Sequence, residues 1–313
     1  MQFDINIIEI ELSSLCNAKC SGCMRTILDN QEKYYYKGNL LLDDIIDWFE
    51  PLDISNTKIK MCGVLGDPMI NPELYEIIFY FLYEKNVRDL EMSTNGGTRP
   101  AQFWKDLGLL SKQSNKRFYI HWAVDGVTRN DYRENVILDK VWENINAYHS
   151  TGGHSIWQYI IFDYNEDEVE MARQKAKDNG MKFATRVSWR NTSEKVKVTS
   201  KAANKIDSDS YEVVEARART KQYKEAKIMC RHKIKGELYI GANKRLWPCC
   251  HLYENIGHDF NDLTKRTIND IIDSDWYKNE LEASWDKIHP LHLPRCYLTC
   301  GDDGKRAVIK NVE

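Results

Sequence analysis

No apolar run in the chain could cross a membrane. The longest, Ile77 to Tyr83, falls far short of the roughly 18 residues that a span requires. The N-terminus, Met-Gln-Phe-Asp-Ile, lacks the basic start and apolar stretch of a secretory signal, so a cytoplasmic protein is expected. Neither sign of charge is in excess. The 44 Lys and Arg stand against 47 Asp and Glu, for a formal net charge of -3, which indicates neither a nucleic-acid surface nor an acidic tail. What the chain does have is length and cysteine. Its 313 residues, 42% hydrophobic and 29% charged, suit a large domain with a smaller one, or a barrel with an appendage.

The nine cysteines form an N-terminal trio, a lone Cys62 and a C-terminal group of five. The trio, Cys16-Asn-Ala-Lys-Cys20-Ser-Gly-Cys23, is too tightly spaced for mutual pairing, and metal is the better account in a reducing compartment. Nothing near it offers a fourth ligand. A structural zinc site or an electron-transfer cluster uses four protein ligands, whereas three thiolates on a four-iron cluster leave one iron open. The competing account is a zinc knuckle with a distant histidine. Cys62, inside an apolar strand, reads as a small buried residue.

Around these cysteines the pattern is of alternating strands and helices. Ile7 to Leu12 alternates as a half-buried strand and leads directly into Ser13-Ser-Leu-Cys16. A helical stretch, Leu40 to Phe49, precedes a strand at Thr57 to Val64 that ends in Leu65-Gly66-Asp67-Pro68, and Asn71-Pro72 caps and starts a helix. Strands at Asp89 to Met92 and Phe118 to Val124 end in Ser93-Thr94-Asn95-Gly96-Gly97 and in Asp125-Gly126. Helices are expected over Ala101 to Ser111, Asp139 to His149 and Glu166 to Asp178, with further strands at Ile156 to Phe162 and Lys182 to Val187. Strands alternating with helices predict an α/β protein with a parallel sheet, a partial (β/α)6 barrel, whose active face carries the loops after the strands.

From Asn191 to Lys227 polar and charged residues predominate without a clean period, which reads as a linker, partly helical over Ser210 to Lys227. The three expected parts are a barrel over 1–190, this linker over 191–227 and a small α+β domain over 228–313. In the last, two strand-like runs flank Ala242-Asn-Lys244 before Cys249-Cys250, a helix spans Thr267 to Ala283, and Cys296 and Cys300 follow.

The spacing C-x3-C-x2-C after strand one resembles the cluster motif of the radical S-adenosylmethionine (radical SAM) enzymes. The resemblance extends over Ile7 to Ser188. Gly66-Asp67-Pro68 stands where that family carries Gly-Glu-Pro, Ser93-Thr94-Asn95-Gly96 is similar to its strand-three segment, and Val124-Asp125-Gly126 to its strand-four segment. The likeness implies that Cys16, Cys20 and Cys23 hold a [4Fe-4S] cluster whose open iron binds SAM, with Gly66, Asp67, Pro68, Ser93, Asn95 and Asp125 on the SAM side. It also implies an external one-electron reductant such as flavodoxin or ferredoxin, cleavage of SAM to a 5'-deoxyadenosyl radical, and hydrogen abstraction from a substrate.

The tail resembles the twitch domain, the shortened relative of the SPASM domain. That likeness implies one auxiliary [4Fe-4S] cluster on Cys230, Cys249, Cys296 and Cys300. Cys250 is a competitor for the second place, with Cys249 favoured because it holds the Pro-Cys position. Lys244 stands where the family commonly has glycine. Zinc, with His232 or His251 helping, is the alternative occupant.

Relatives with such tails act on peptides or on small molecules. The cluster loop begins at Cys16, which leaves no room before it for a peptide-binding module, and the chain ends Lys310-Asn-Val-Glu313 without the Gly-Gly tail of the first molybdopterin-synthesis enzyme. A small-molecule or peptide substrate is therefore expected. The alternative is a non-catalytic iron-sulfur or zinc protein acting in redox sensing or assembly.

Overall fold

Side-chain alternation along the strands sorts the molecule into an apolar layer and a polar face. In the computed structural model, residues 4–188, 196–197, 227–253, 259–286, 288–293, 295–296 and 300–302 are described. In β1 (Ile7–Ile10) Ile8 and Ile10 are buried while Glu9 takes the other side. The same division recurs in β2 (Lys58–Met61), β3 (Asp89–Thr94) and β4 (Phe118–Ala123). There Ile59, Met61, Leu90, Met92, Phe118, Ile120 and Trp122 enter the core, and Lys58, Lys60, Glu91, Tyr119 and His121 line the opposite face.

With β5 (Ser155–Ile161) and β6 (Lys182–Val187), the strands run parallel in the order β6-β5-β4-β3-β2-β1. This is the expected partial (β/α)6 barrel. Between the strands lie α2 (Leu42–Phe49), α3 (Leu74–Phe79), α4 (Ala101–Gln113), α5 (Leu138–Ser150) and α6 (Val169–Asp178). They close over the apolar layer with Ile45, Phe49, Ile77, Trp104, Leu107, Val141, Ile145 and Ala172. Gly108 lets α4 and α5 touch, since a Cβ there would stand 2.2 Å from the Tyr148 carbonyl oxygen.

Three local differences from the sequence expectations have physical causes. A helix, α1 (Met24–Asn30), follows the cysteine loop directly, with Cys23 as its N-cap in extended backbone. Asn71 does not begin a helix at Pro72. Its side-chain oxygen accepts from Glu73 N–H at 2.9 Å, its amide bonds the Leu12 and Leu40 carbonyls, and α3 starts at Leu74. The helix expected over Thr267 to Ala283 is interrupted at Ser274, after a first piece, Ile268–Asp273, that Thr267 and Asp270 cap reciprocally. The linker over 191–227, with its expected helix, lies outside the described residues except for Val196, Lys197 and Lys227.

The C-terminal part is joined to the barrel through its sheet. After β7 (Lys227–Ile228), β8 (Glu237–Ile240) pairs in parallel with β1, and β9 (Leu246–Trp247) returns antiparallel to β8. The turn between them puts Lys244 at φ 60, the left-handed region that favours glycine, while its Nζ pairs with Asp44 of α2 at 2.7 Å. β10 (Gly301–Asp302) pairs antiparallel with β7.

One half-buried histidine should make this core pH-sensitive. His149, in the last turn of α5, lies 2.8 Å from Ser155 Oγ, and burial, with His154 adding, pushes its pKa down to about 4. Well above 6.5 the ring is neutral whether the chain is folded or not, so it contributes nothing. Below 6.5 the unfolded chain takes up a proton that the folded one refuses, and stability must fall towards pH 4. Urea unfolding between pH 7 and 4.5 should show a shallower loss in His149→Gln than in wild type; equal slopes would count against this origin.

Candidate functional site

Two loops are pressed together at the C-terminal ends of β1 and β2. The Asp67 N–H donates to the Leu15 carbonyl at 2.9 Å. A Cβ on Gly66 would stand 1.9 Å from the Ser13 carbonyl oxygen, so only glycine admits this approach. The loop after β1 carries Cys16, Cys20 and Cys23. Cys16 Sγ accepts from the Ala18 N–H at 3.4 Å and from the Asn95 amide at 3.7 Å. Cys20 Sγ faces Arg133 Nη1 at 4.0 Å, and Cys23 N–H bonds the Cys20 carbonyl at 3.0 Å.

Donors aimed at sulfur suit thiolates. Desolvation, reinforced by the nearby Asp67, pushes the Cys16 thiol up to about 12, and burial raises Cys20 against the opposing pull of Arg133. A thiophilic metal group would therefore have to displace protons as it binds. Among the described residues no three His, Cys, Asp or Glu side chains converge closely enough for a single metal ion. The sulfurs of Cys16 and Cys20 thus have backbone, amide and guanidinium donors beside them.

The loops after β2, β3 and β4 meet beside this one. The buried Asp67 carboxylate accepts from Met69 N–H, Thr94 Oγ1, Asn95 N–H and the Asn95 amide at 2.7–3.1 Å. Its side chain is thus occupied inside the protein. The Asn95 amide also reaches Asn17 at 2.9 Å, and Ser93 lies partly accessible near the end of β3. Asp125 is fully buried, with its carboxylate bonded by Arg133 Nε at 2.7 Å and Ile160 N–H at 2.8 Å. Burial pushes this carboxyl up, while Arg133 and the Ile160 N–H pull it back.

Sequence inspection passed over Asn17, Arg133 and Glu11. Glu11, just beyond β1, is 3% exposed. Its carboxylate accepts from Leu65 N–H at 2.7 Å, Gly66 N–H at 3.2 Å and Tyr239 O–H at 3.0 Å. Behind it, Lys58 pairs with Glu91 at 2.6 Å, and Tyr119 bonds Glu91 at 3.3 Å. Cys62, partly accessible as a residue, departs from the expectation of a merely apolar neighbourhood, since the charges of Glu9 and Glu91 join burial in pushing its thiol up.

Four of the five C-terminal cysteines line one cavity. Cys230, Cys249, Cys296 and Cys300 share it with Ile228, Pro248, His251, Leu252, Leu281, Trp285 and Arg295. Cys230 Sγ also accepts from Lys233 N–H at 3.5 Å. Cys250 does not line the cavity; its thiol is pushed up by burial and by the charge of Glu9, on the barrel's polar face.

The family model described as the radical SAM superfamily matches residues 10–176. The chain belongs to that superfamily. Its members are enzymes that use SAM and a [4Fe-4S] cluster. Among curated proteins it is 28% identical over 174 residues to the GTP 3',8-cyclase of Alkaliphilus oremlandii (strain OhILAs), covering 53% of this chain and 51% of the cyclase. The corresponding cyclase of Alkaliphilus metalliredigens (strain QYMF) is 26% identical over 181 residues, covering 54% and 52%. The chain thus spans about half the length of these relatives. Among solved structures, Streptococcus suis SuiB bound to S-adenosylmethionine shares the fold at TM-score 0.63 and 12% identity, covering 94% of this chain and 72% of SuiB. Native anSMEcpe with bound AdoMet does so at TM-score 0.58 and 12% identity, covering 88% and 82%.

Removing one member of the Asp125–Arg133 pair leaves a buried charge uncompensated. Arg133→Met should cost about 3–5 kcal/mol in urea unfolding, and the double variant with Asp125→Asn should recover most of it. A single variant as stable as wild type would show the pair to be dispensable.

Proposed function

We propose that this chain is a radical SAM enzyme with two iron-sulfur sites, acting in the oxidation or modification of a small molecule or peptide. Cys16, Cys20 and Cys23 would hold the radical-generating [4Fe-4S] cluster, and Cys230, Cys249, Cys296 and Cys300 an auxiliary one. The observation that carries the second assignment is the shared cavity of those four cysteines, with Cys250 turned away to Glu9. Four thiols around a largely apolar cavity supply the complete ligand set of a closed cluster, as expected of a twitch domain. GTP 3',8-cyclases as sequence relatives and SuiB bound to precursor peptide SuiA as a fold neighbour, at TM-score 0.60 and 13% identity, support the two substrate classes.

When bound, the cluster and SAM together supply a 5'-deoxyadenosyl radical able to abstract hydrogen. The protein's own tasks follow from its geometry. Donors from Ala18, Asn95 and Arg133 offset the thiolate charge. Gly66-Asp67-Pro68, held by Glu11 and by the Asp67 carboxylate, offers backbone groups for the SAM methionine moiety, with Ser93, Asn95 and Asp125 shaping the adjoining loops. The polar face, with Lys58, Lys60, Glu9 and Glu91, would receive a polar substrate. Electrons would come from an external donor such as flavodoxin or ferredoxin, and among the described residues no helix is long and apolar enough to cross a membrane.

Anaerobic reconstitution with iron and sulfide, followed by dithionite and SAM, should yield 5'-deoxyadenosine, and the Cys16, Cys20 and Cys23 triple alanine variant should yield none. Product from that variant, or none from wild type, would overturn the first assignment. Iron analysis tests the second: the triple variant should keep a full four-iron complement. It should lose that complement when Cys249→Ala is added and keep it with Cys250→Ala. Zinc in place of iron, or equal loss in both, would sink the auxiliary cluster.

A further inference from the structure

One enclosed donor stands in the wall of the C-terminal cysteine cavity with nothing to bind. Trp285 lines that cavity together with Cys230, Cys249, Cys296 and Cys300. Its indole Nε1 is shut off from solvent and meets no hydrogen-bond acceptor among the described residues. A buried N–H without a partner is costly, and in native proteins such a group marks a place where a water, an ion or a ligand belongs. A water would need roughly two to four polar partners, and the wall of this cavity is largely apolar. The backbone fixes the indole here. Trp285 N–H bonds the Glu282 carbonyl at 3.1 Å, closing the turn after the helical residues Leu281–Ala283, and the carbonyl of the buried Ser284 accepts from Leu293 N–H at 2.9 Å. Cys296 N–H in turn bonds the Leu293 carbonyl at 3.1 Å. The segment that carries Trp285 is thus tied to the one that carries Cys296.

We propose that Trp285 donates its indole N–H to a cysteine sulfur of the iron-sulfur group held in this cavity, and so raises that group's affinity for an electron. The proposal rests on the auxiliary-cluster reading put forward above. A thiol is a weak acceptor, whereas a thiolate on iron is a charged and much stronger one. The same N–H that finds no partner among thiols therefore finds one among ligated sulfurs. Cys230 Sγ already accepts from Lys233 N–H at 3.5 Å, and Trp285 supplies a donor from the segment tied to Cys296. An added electron places more negative charge on the sulfurs, and a donor in an enclosed site of low dielectric stabilises that charge. The indole N–H thus favours the reduced form and lifts the potential.

The Cys16, Cys20 and Cys23 triple alanine variant, reconstituted with iron and sulfide, isolates the C-terminal group for measurement. Its midpoint potential, followed by electron paramagnetic resonance during a reductive titration, should fall when Trp285→Phe is added, a change that keeps a ring and removes the donor. The expected loss is about tenfold in affinity for the electron, or about 59 mV for a one-electron couple, with four irons and the unfolding midpoint retained. Trp142 supplies the control. Its Nε1 is also buried without an acceptor, but it lies on α5 with its ring against Trp157 of β5 and Lys175 of α6. Trp142→Phe should leave the potential where it was. An unchanged potential in Trp285→Phe, or an equal fall in Trp142→Phe, would overturn the assignment. If the triple variant forms no reducible cluster, the auxiliary-cluster reading fails, and this inference with it. A second measurement keeps every tryptophan in place. On addition of iron and sulfide to the triple variant, the Raman band that reports indole N–H bonding should move to its hydrogen-bonded position, and the movement should be lost in Trp285→Phe. Identical bands before and after loading would show that no indole meets the cluster.

Discussion

The carboxylate of Glu11 is the point on which the site hangs. It stands at the end of β1, is 3% exposed, and accepts hydrogen bonds from Leu65 N–H, Gly66 N–H and the Tyr239 hydroxyl. Burial alone would drive its pKa up, and those donors pull it back. A buried acceptor with these partners fixes geometry, because loss of any one leaves a desolvated group costing about 1–3 kcal/mol. Three separate pieces of chain are fixed in this way: the strand that delivers the cysteine loop, the loop of Gly66-Asp67-Pro68, and β8 of the C-terminal part. The close approach of Gly66 to Ser13 follows from that pinning.

Much of this was legible in the chain, and the reason is period. Alternating strands and the helices between them leave signals within ten to fifteen residues, so the six parallel strands and the polar loops after them emerged close to their observed places. Contacts that join distant segments leave no such signal. The Glu11–Tyr239 bond spans 228 residues and the Arg133–Cys20 contact 113. Arg133 itself lies in a loop with no periodic pattern. The pairing of β8 with β1 is another case, since a four-residue strand carries no mark of which edge it will join. Cys62 was obscured differently: apolar neighbours in sequence suggested burial among apolar atoms, but in a strand those neighbours face the other way.

The polar face of the barrel is costly by ordinary standards of stability. Lys58 and Glu91 are 21% and 11% exposed in their side chains, and Lys60 with Glu9 is 31% and 22% exposed. Ion pairs this enclosed recover little more than their desolvation, and apolar substitutes of similar volume are often as stable or more so. A fold selected for stability alone would have filled this side with the same Ile, Met and Phe side chains that cover the other. That it carries Lys, Glu, His and Cys instead marks this face as shaped by something other than stability.

The adjacent Cys249 and Cys250 show how one local conformation can serve both compartments. Cys249 is extended, at φ -164 and ψ 162, and in extended backbone successive side chains point to opposite sides. Hence one thiol lines the C-terminal cavity while its neighbour stands within the influence of Glu9 on the barrel face. The two could not both turn to the same cavity without breaking the backbone geometry that β9 imposes just before them. A pair that looks redundant in sequence is therefore divided by strand geometry into two roles.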